Sequence, residues 1–71
     1  MKFNYAKLKS KIVEVCGTQS SLGKAMGISK NAFSKKLNNK TRFSVDDIIT
    51  IINLLDIPKN EISDYFFTEE V

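Results

Sequence analysis

The sequence has no histidine, no tryptophan, a single proline and a single cysteine, Cys16. Without histidine, the commonest metal ligand and the commonest general acid or base are both missing. One cysteine cannot form an internal disulfide or a cysteine-rich zinc site, and a nucleophilic role would need a base that the chain does not offer. We therefore expect no enzyme, no metal, no cofactor and no small-molecule substrate. We expect Cys16 to be a small buried side chain at the end of a helix.

Long apolar runs are also missing. No stretch approaches the roughly 18 apolar residues of a membrane span. Lys7 and Lys9 follow the N-terminus too closely for the apolar core of a signal peptide. With 71 residues, 42% of them hydrophobic, the sequence predicts one globular domain over residues 1–71. We expect it in the cytoplasm of a cell, without contact with a membrane.

Acidic residues are missing from the centre of the chain. Residues 18–45 contain six basic residues and no acidic one, whereas residues 46–71 contain one lysine and seven acidic residues. A block without carboxylates in so small a domain is typical of a surface that binds a polyanion, nucleic acid above all. A plain solvated lysine surface is the alternative.

Apolar residues recur at helical spacing along the whole chain, which predicts five short helices. Small polar residues precede them as N-caps, and glycine, asparagine or proline separates them. The inward-facing side chains are predicted to be Leu8, Ile12 and Val15 in the first helix (about Tyr5 to Val15), Leu22, Ala25 and Met26 in the second, Ala32, Phe33 and Leu37 in the third, and Ile48, Ile51, Ile52 and Leu55 in the fourth. The predicted N-caps are Asn4, Thr18, Ser29 and Ser44, and Ser44 is predicted to form a capping box with Asp47. The first three helices are predicted to end at Gly17, Gly27 and Asn38-Asn39. A fifth helix is predicted to begin at Pro58 and to end near Phe66.

The segment Thr18 to Lys40, TQSSLGKAMGISKNAFSKKLNNK, resembles the helix-turn-helix of the phage repressor and Cro family. Two helices that cross steeply need a small residue at the crossing, which Gly23 supplies, and the turn needs a positive φ, which Gly27 supplies. The wedge between the helices is filled by Leu22, Met26, Ile28 and Phe33. One helix before and two after extend the match over nearly the whole chain. The resemblance implies a compact all-α, five-helix, lambda-repressor-like domain whose second and third helices form the helix-turn-helix, at about residues 18–39.

Two positions depart from the pattern of that family. An apolar residue usually stands where this chain has Lys36, and we expect Leu37 to be buried in its place. Glycine often stands where this chain has Asn39, and asparagine tolerates the same left-handed backbone. In length the chain is closer to Cro-like regulators than to the larger two-domain phage repressors.

The resemblance also implies specific contacts with DNA, because the third helix of such proteins lies in the major groove. Lysine can donate to guanine, asparagine can bind adenine through two hydrogen bonds, and an alanine methyl can touch that of thymine. The implied base-reading residues are Lys30, Asn31, Ala32 and Lys35. The implied phosphate contacts are Gln19, Ser29, Ser34, Asn38, Lys40, Thr41 and Arg42. For Lys24 and Lys36, a solvated side chain explains the residue as well as a phosphate contact does.

The C-terminal segment has more apolar side chains than one short helix can bury against so small a core. Either several of them close the core, or some form a surface for a partner. The candidates for such a surface, in a symmetric dimer or with another protein, are Ile62, Phe66 and Phe67.

Together these features predict a sequence-specific double-stranded DNA-binding transcription regulator, a Cro-like phage or prophage repressor that acts by occupying its operator. We expect a palindromic operator and a weak homodimer that forms mainly on DNA, because one reading helix discriminates too little against competing sites. The alternative is an interaction protein of the same fold that modulates another regulator by protein–protein binding through its acidic C-terminal third. An RNA-binding domain is disfavoured, because no surface aromatics alternate with the lysines.

Overall fold

The computed structural model describes residues 2–69 and has five α-helices in that range. They are α1 (Ala6–Cys16), α2 (Gln19–Ala25), α3 (Lys30–Leu37), α4 (Val45–Leu55) and α5 (Ile62–Phe66), and a single 3-10 turn, Lys59–Glu61, leads into α5. The all-α, five-helix fold predicted from the sequence is confirmed. Within the described residues, no helix has both the length and the apolar character needed to cross a membrane.

Side-chain caps begin α2 and α3 where the sequence predicts them. The Thr18 hydroxyl accepts a hydrogen bond from the backbone N–H of Ser21 at 3.1 Å. The Ser29 hydroxyl accepts one from the N–H of Ala32, also at 3.1 Å. Each cap satisfies an N–H group that has no partner inside its own helix. The two caps therefore define the start of both helices on either side of the turn.

The capping box predicted for α4 is confirmed, and the start of α1 is shifted by one residue. Ser44 N–H donates to the Asp47 carboxylate at 2.9 Å, and Asp47 N–H donates to the Ser44 hydroxyl at 3.0 Å. At α1 the helix begins at Ala6 rather than Tyr5, and the Asn4 side chain accepts from the Ala6 N–H at 2.9 Å. Asn4 therefore acts as a side-chain cap for α1, although it lies one residue before Tyr5, which occupies the N-cap position.

Residues with positive φ lie at the ends of four helices. Gly17 (φ 85°) follows α1 and Gly27 (φ 76°) lies in the turn after α2. Asn39 (φ 62°) follows α3, as the Asn-Asn pair predicts, and Asp56 (φ 55°) ends α4, which the sequence did not predict. Such a residue stops the helix and turns the chain back on itself, and the side chains of asparagine and aspartate tolerate this backbone better than most.

The core is drawn from every helix and from the segments between them. Its buried members are Tyr5, Leu8, Ile12, Leu22, Phe33, Leu37, Ile51, Leu55, Ile57, Tyr65 and Phe66. Two predicted core residues, Val15 and Ala25, are instead exposed. Cys16 and Met26, which were also predicted to be buried, are partly buried and pack against the core. Leu37 is buried, as expected from the departure at Lys36.

Gly23 lies in α2 against the ring of Phe33 in α3. A Cβ atom built on Gly23 would lie 3.5 Å from the nearest Phe33 side-chain atoms, which is ordinary van der Waals contact. The crossing of the two helices therefore has room for a methyl group, and the steric reason predicted for this glycine is wrong. The buried Phe33 ring packs against Gly23 at this crossing.

The two ends of the described chain meet beside the turn after α3. Phe3 forms an isolated antiparallel bridge with Glu69, and Asn4 N–H donates to the Thr68 carbonyl at 2.7 Å. The Asn39 side chain accepts from Phe3 N–H at 2.8 Å and donates to the Phe3 carbonyl at 2.9 Å. One asparagine amide therefore satisfies both backbone groups of Phe3 and holds the N-terminal segment in place.

Candidate interaction surfaces

The outer face of α3 is polar, as the sequence predicts. Lys30, Asn31, Ser34 and Lys35 are exposed, and Ala32 is half-buried. All seven residues predicted to contact phosphate are exposed as well: Gln19, Ser29, Ser34, Asn38, Lys40, Thr41 and Arg42. The fold thus brings the predicted reading residues together on one short helix.

Several of the predicted phosphate contacts are already engaged within the protein. The Ser29 hydroxyl caps α3, and the Ser34 hydroxyl accepts from the Asn38 side chain at 3.2 Å. These hydroxyl groups act in local structure, as small polar side chains at helix ends commonly do.

Arg42 packs against the aromatic side chains of the N-terminal segment. Its guanidinium lies 5.0 Å from the centre of the Phe3 ring, within the range of a cation–π interaction. Burial raises the pKa of Tyr5, and Arg42, which hydrogen-bonds to that phenol, opposes part of the rise. The side chain predicted to bind phosphate therefore has a structural role next to two aromatic rings.

Lys36, for which the sequence leaves a solvated side chain and a phosphate contact equally open, joins α3 to α4. Its Nζ lies 2.9 Å from the Asp47 carboxylate, and it also donates to the Arg42 carbonyl at 3.1 Å. Burial alone would raise the pKa of Asp47, but hydrogen bonds from Ser44 and Lys36 and the charge of Lys36 outweigh it and lower the pKa. The interpretation of Lys36 as a solvated or phosphate-binding residue is therefore wrong.

Of the three residues predicted to form a C-terminal interaction surface, Ile62, Phe66 and Phe67, only Phe67 is exposed. Phe66 is 1% exposed and lies in the core, with its ring 5.8 Å from that of Phe43, so it cannot belong to an interface of the folded chain. Ile62 is half-buried against the core. Phe67 is 50% exposed and packs edge-on against Phe3, with the ring centres 5.8 Å apart. Of the two alternatives drawn from the sequence, the one in which these side chains complete the core is therefore correct for Phe66 and in part for Ile62.

An exposed apolar ridge on α4 was not predicted. Val45 is 73% exposed and Ile49 is 51% exposed, and the two lie one helical turn apart; we call this pair the α4 ridge. Leu54, at 42% exposed, lies near the opposite edge of the helix. The signal was present in the sequence, because seven of the eleven residues of α4 are apolar, more than one buried face of a helix accommodates.

Acidic side chains flank the α4 ridge. Asp46 follows Val45, and Asp56 lies at the far end of the helix; both are exposed, and neither forms an ion pair with the described residues. No lysine or arginine occurs between Arg42 and Lys59. The charged side chains of α4 itself and of its C-cap are therefore all acidic. Within residues 2–69, no group of acidic or cysteine side chains is arranged to hold a metal ion.

Comparison with known proteins identifies the family. Residues 1–69 match a protein family described as "Protein of unknown function (DUF739)". The chain belongs to this family. The DUF739 chain is also similar to a solved structure, the modulator of repression (MOR) of the temperate bacteriophage TP901-1 from Lactococcus lactis, with 39% identity and a TM-score of 0.82. The match covers 94% of this chain and 90% of that one. No curated protein sequence matches the DUF739 chain.

These findings correct the assignment made from the sequence. The predicted membership of the phage repressor and Cro family is wrong, and so is the main expectation of a Cro-like DNA-binding repressor, because the family is DUF739 and the similar solved protein is a modulator of repression. The residues behind the resemblance, such as Leu22, Gly27 and Phe33, pack or connect α2 and α3. These residues indicate the fold and not the function, because one fold can serve several functions. The individual base and phosphate contacts stay predictions made from the sequence alone.

Proposed function

We propose that this DUF739 protein modulates a transcriptional repressor by binding to it, with no catalytic step. The observation that carries the proposal is the similarity to the TP901-1 modulator of repression, at 39% identity over 94% of the chain. The partner in this proposal is a regulator protein, which requires the chain to work inside the cell, where repressors act on DNA.

The surface of the protein supports binding to another protein. Val45 and Ile49 are each more than half exposed and lie one helical turn apart on α4. Large apolar side chains that are grouped at a surface are typical of a protein–protein contact. The acid-free outer face of α3 is present on the same molecule, but the similarity to a modulator of repression favours binding to a regulator protein over binding to DNA.

A mobility-shift assay tests the proposal directly. A labelled operator is titrated with the repressor encoded in the same genome as this chain, with and without the purified protein. We expect the protein to change the apparent affinity of the repressor for its operator while producing no shift by itself. A repressor from an unrelated system, on its own operator, is the matched control and is expected to be unaffected.

Two results would contradict the proposal. One is an unchanged repressor–operator complex together with no heat of binding between repressor and protein in calorimetry. The other is a sequence-specific shift of duplex DNA by the protein alone. The same calorimetric titration gives the stoichiometry of the complex between protein and repressor.

A further inference from the structure

We infer that the α4 ridge, Val45 and Ile49, is the surface through which this chain binds its repressor, and that the matching repressor surface combines an apolar patch with lysine and arginine side chains. The inference rests on the proposed function. It adds to it the residues that make the contact and the chemistry of the partner that they fit.

The ridge is the place in the described chain where two large apolar side chains are exposed side by side. Val45 and Ile49 are four residues apart and so lie next to each other on the helix surface, about 5–6 Å between their Cβ atoms. The half-buried Ile52 continues the same stripe towards the core. A helix that presents neighbouring apolar side chains at this spacing fits into a groove or against a flat patch of a partner.

The other exposed apolar side chains of residues 2–69 do not form such a stripe. Val13 and Val15 are two residues apart on α1 and point to different sides of it. Leu54 is separated from Ile49 by about half a turn of the helix surface. Phe67 is a single ring that already packs against Phe3. The apolar contribution to an interface is therefore concentrated at the α4 ridge.

The charges beside the α4 ridge indicate which kind of partner fits it. Asp46 and Asp56 flank the ridge and form no ion pair with the described residues, whereas the charge of Asp47 is balanced by Lys36. A repressor must carry clustered lysine and arginine side chains, because it binds the phosphates of DNA. Attraction between those side chains and the two free carboxylates favours the encounter and orients the partner.

The same charges argue against a second copy of this chain as the occupant. In a two-fold contact, the surface of one copy meets the identical surface of the other. Two ridges packed against each other would bring the Asp46 carboxylates of both copies into one apolar contact, where like charges repel. We therefore assign the ridge to a basic partner and not to a homodimer.

The start of α4 is held rigidly in place, which suits a binding surface. The Ser44–Asp47 capping box fixes the first turn, and the Lys36–Asp47 ion pair ties that turn to α3. A backbone segment that is already ordered before binding loses little further conformational entropy in the complex. Val45 lies in that first turn, and Ile49 lies in the next.

Three single substitutions on exposed side chains test the assignment by calorimetry against the repressor encoded in the same genome. Ile49→Ser and Val45→Ser are each expected to weaken binding about tenfold or more. Leu54→Ser, which removes a similarly exposed side chain from the other edge of the same helix, is the matched control and is expected to change the affinity less than about twofold. Unchanged circular dichroism and unfolding midpoints verify that all three variants are folded.

A second set of variants tests the charge. Asp46→Lys is expected to weaken binding more than Asp46→Asn, and the difference is expected to shrink as salt is raised. Glu14→Lys, on the exposed side of α1, adds the same charge elsewhere and is expected to have little effect.

The outcomes separate this inference from the proposed function. No binding by the wild-type protein overturns both. Wild-type binding that the two ridge variants retain, or that Leu54→Ser impairs as much as they do, overturns the inference alone. A wild-type dimer that Ile49→Ser converts to monomer while repressor binding is unchanged also overturns it, since the ridge would then join two copies.

Discussion

Lys36 and Asp47 connect the helix-turn-helix to α4 through an ion pair of 2.9 Å in which each side chain is only 19% exposed. Lys36 also donates to the Arg42 carbonyl, and Asp47 also accepts from the Ser44 N–H. This pair of side chains thus provides hydrogen-bond partners for the Ser44 N–H at the start of α4 and for the Arg42 carbonyl in the preceding loop. A polar residue at position 36 is therefore part of the packing between α3 and α4.

Replacing either member of this pair is expected to destabilise the protein, and Asp47 is expected to be the more costly one. Lys36→Met removes the ion pair and a hydrogen bond, and should lower the free energy of unfolding by about 1 kcal/mol. Asp47→Ala removes the pair and half of the capping box, and should cost about 2 kcal/mol. Urea unfolding of the wild type, both variants and the double variant measures the coupling. An equal or larger loss in Lys36→Met would show that the capping box contributes nothing beyond the pair.

The ion pair also makes stability depend on pH in the acid range. Because the pKa of Asp47 is lower in the folded than in the unfolded protein, its carboxylate stabilises the fold above the ordinary carboxyl pKa of about 4. That contribution is lost as the pH falls from this value through the lowered pKa. We expect the stability difference between wild type and Lys36→Met to be constant from pH 7 to 5, and to shrink as the pH falls below about 4. Urea unfolding at each pH measures it, and a difference that persists at pH 2 would assign the effect of Lys36 to packing alone.

The two glycines of the helix-turn-helix are expected to respond in opposite ways to alanine. At Gly27 the backbone has φ 76°, so Gly27→Ala should lose about 1 kcal/mol of stability although nothing lies within 4 Å of the new methyl group. At Gly23 the methyl group makes ordinary contact with Phe33 inside a helix, so Gly23→Ala should be neutral or gain up to about 1 kcal/mol. Thermal unfolding of both variants compares them. A loss at Gly23 as large as that at Gly27 would show that α2 and α3 cannot accommodate the methyl group.

Asn39 is expected to be more stabilising than glycine at its position, in spite of its positive φ. Asn39→Gly relieves the backbone but removes both hydrogen bonds to Phe3, and we expect a net loss of about 1 kcal/mol. The Phe3 amide should then exchange with solvent faster, whereas amides in the middle of α4 should be protected as before, corrected for the change in global stability. Hydrogen exchange by NMR measures both. Unchanged protection at Phe3 would mean that the pairing with Glu69 is sufficient to hold the segment.

The local structure of this chain could be predicted from its sequence because its signals are local. A capping serine or threonine acts on an N–H three residues away, and a glycine with positive φ acts on its own backbone. Thr18, Ser29, Ser44 and Gly27 therefore have the roles that their neighbours in the sequence indicate. The fold class followed from these elements and the helical spacing of the core.

The long-range contacts and the function could not be predicted in the same way. The partners of Lys36 and Asn39 lie eleven and thirty-six positions away, and no pattern in the sequence links them. Seven apolar residues in α4 show that some must be exposed, but only the packing shows that these include Val45 and Ile49. The residues that resemble a repressor are those that build the helix-turn-helix, and they are the same whether the fold binds DNA or a protein.

The pairing of Phe3 and Asn4 with Thr68 and Glu69 has a consequence for the order in which contacts form during folding. The Asn39 side chain can bind Phe3 without the C-terminal residues, and this contact closes the shorter of the two loops. The pairing with Thr68 and Glu69 joins opposite ends of the described chain, and closing a longer loop costs more entropy. Contacts between distant parts of a chain also form more slowly. The backbone N–H of Asn4, which donates to Thr68, is therefore expected to be among the last to gain its partner during refolding.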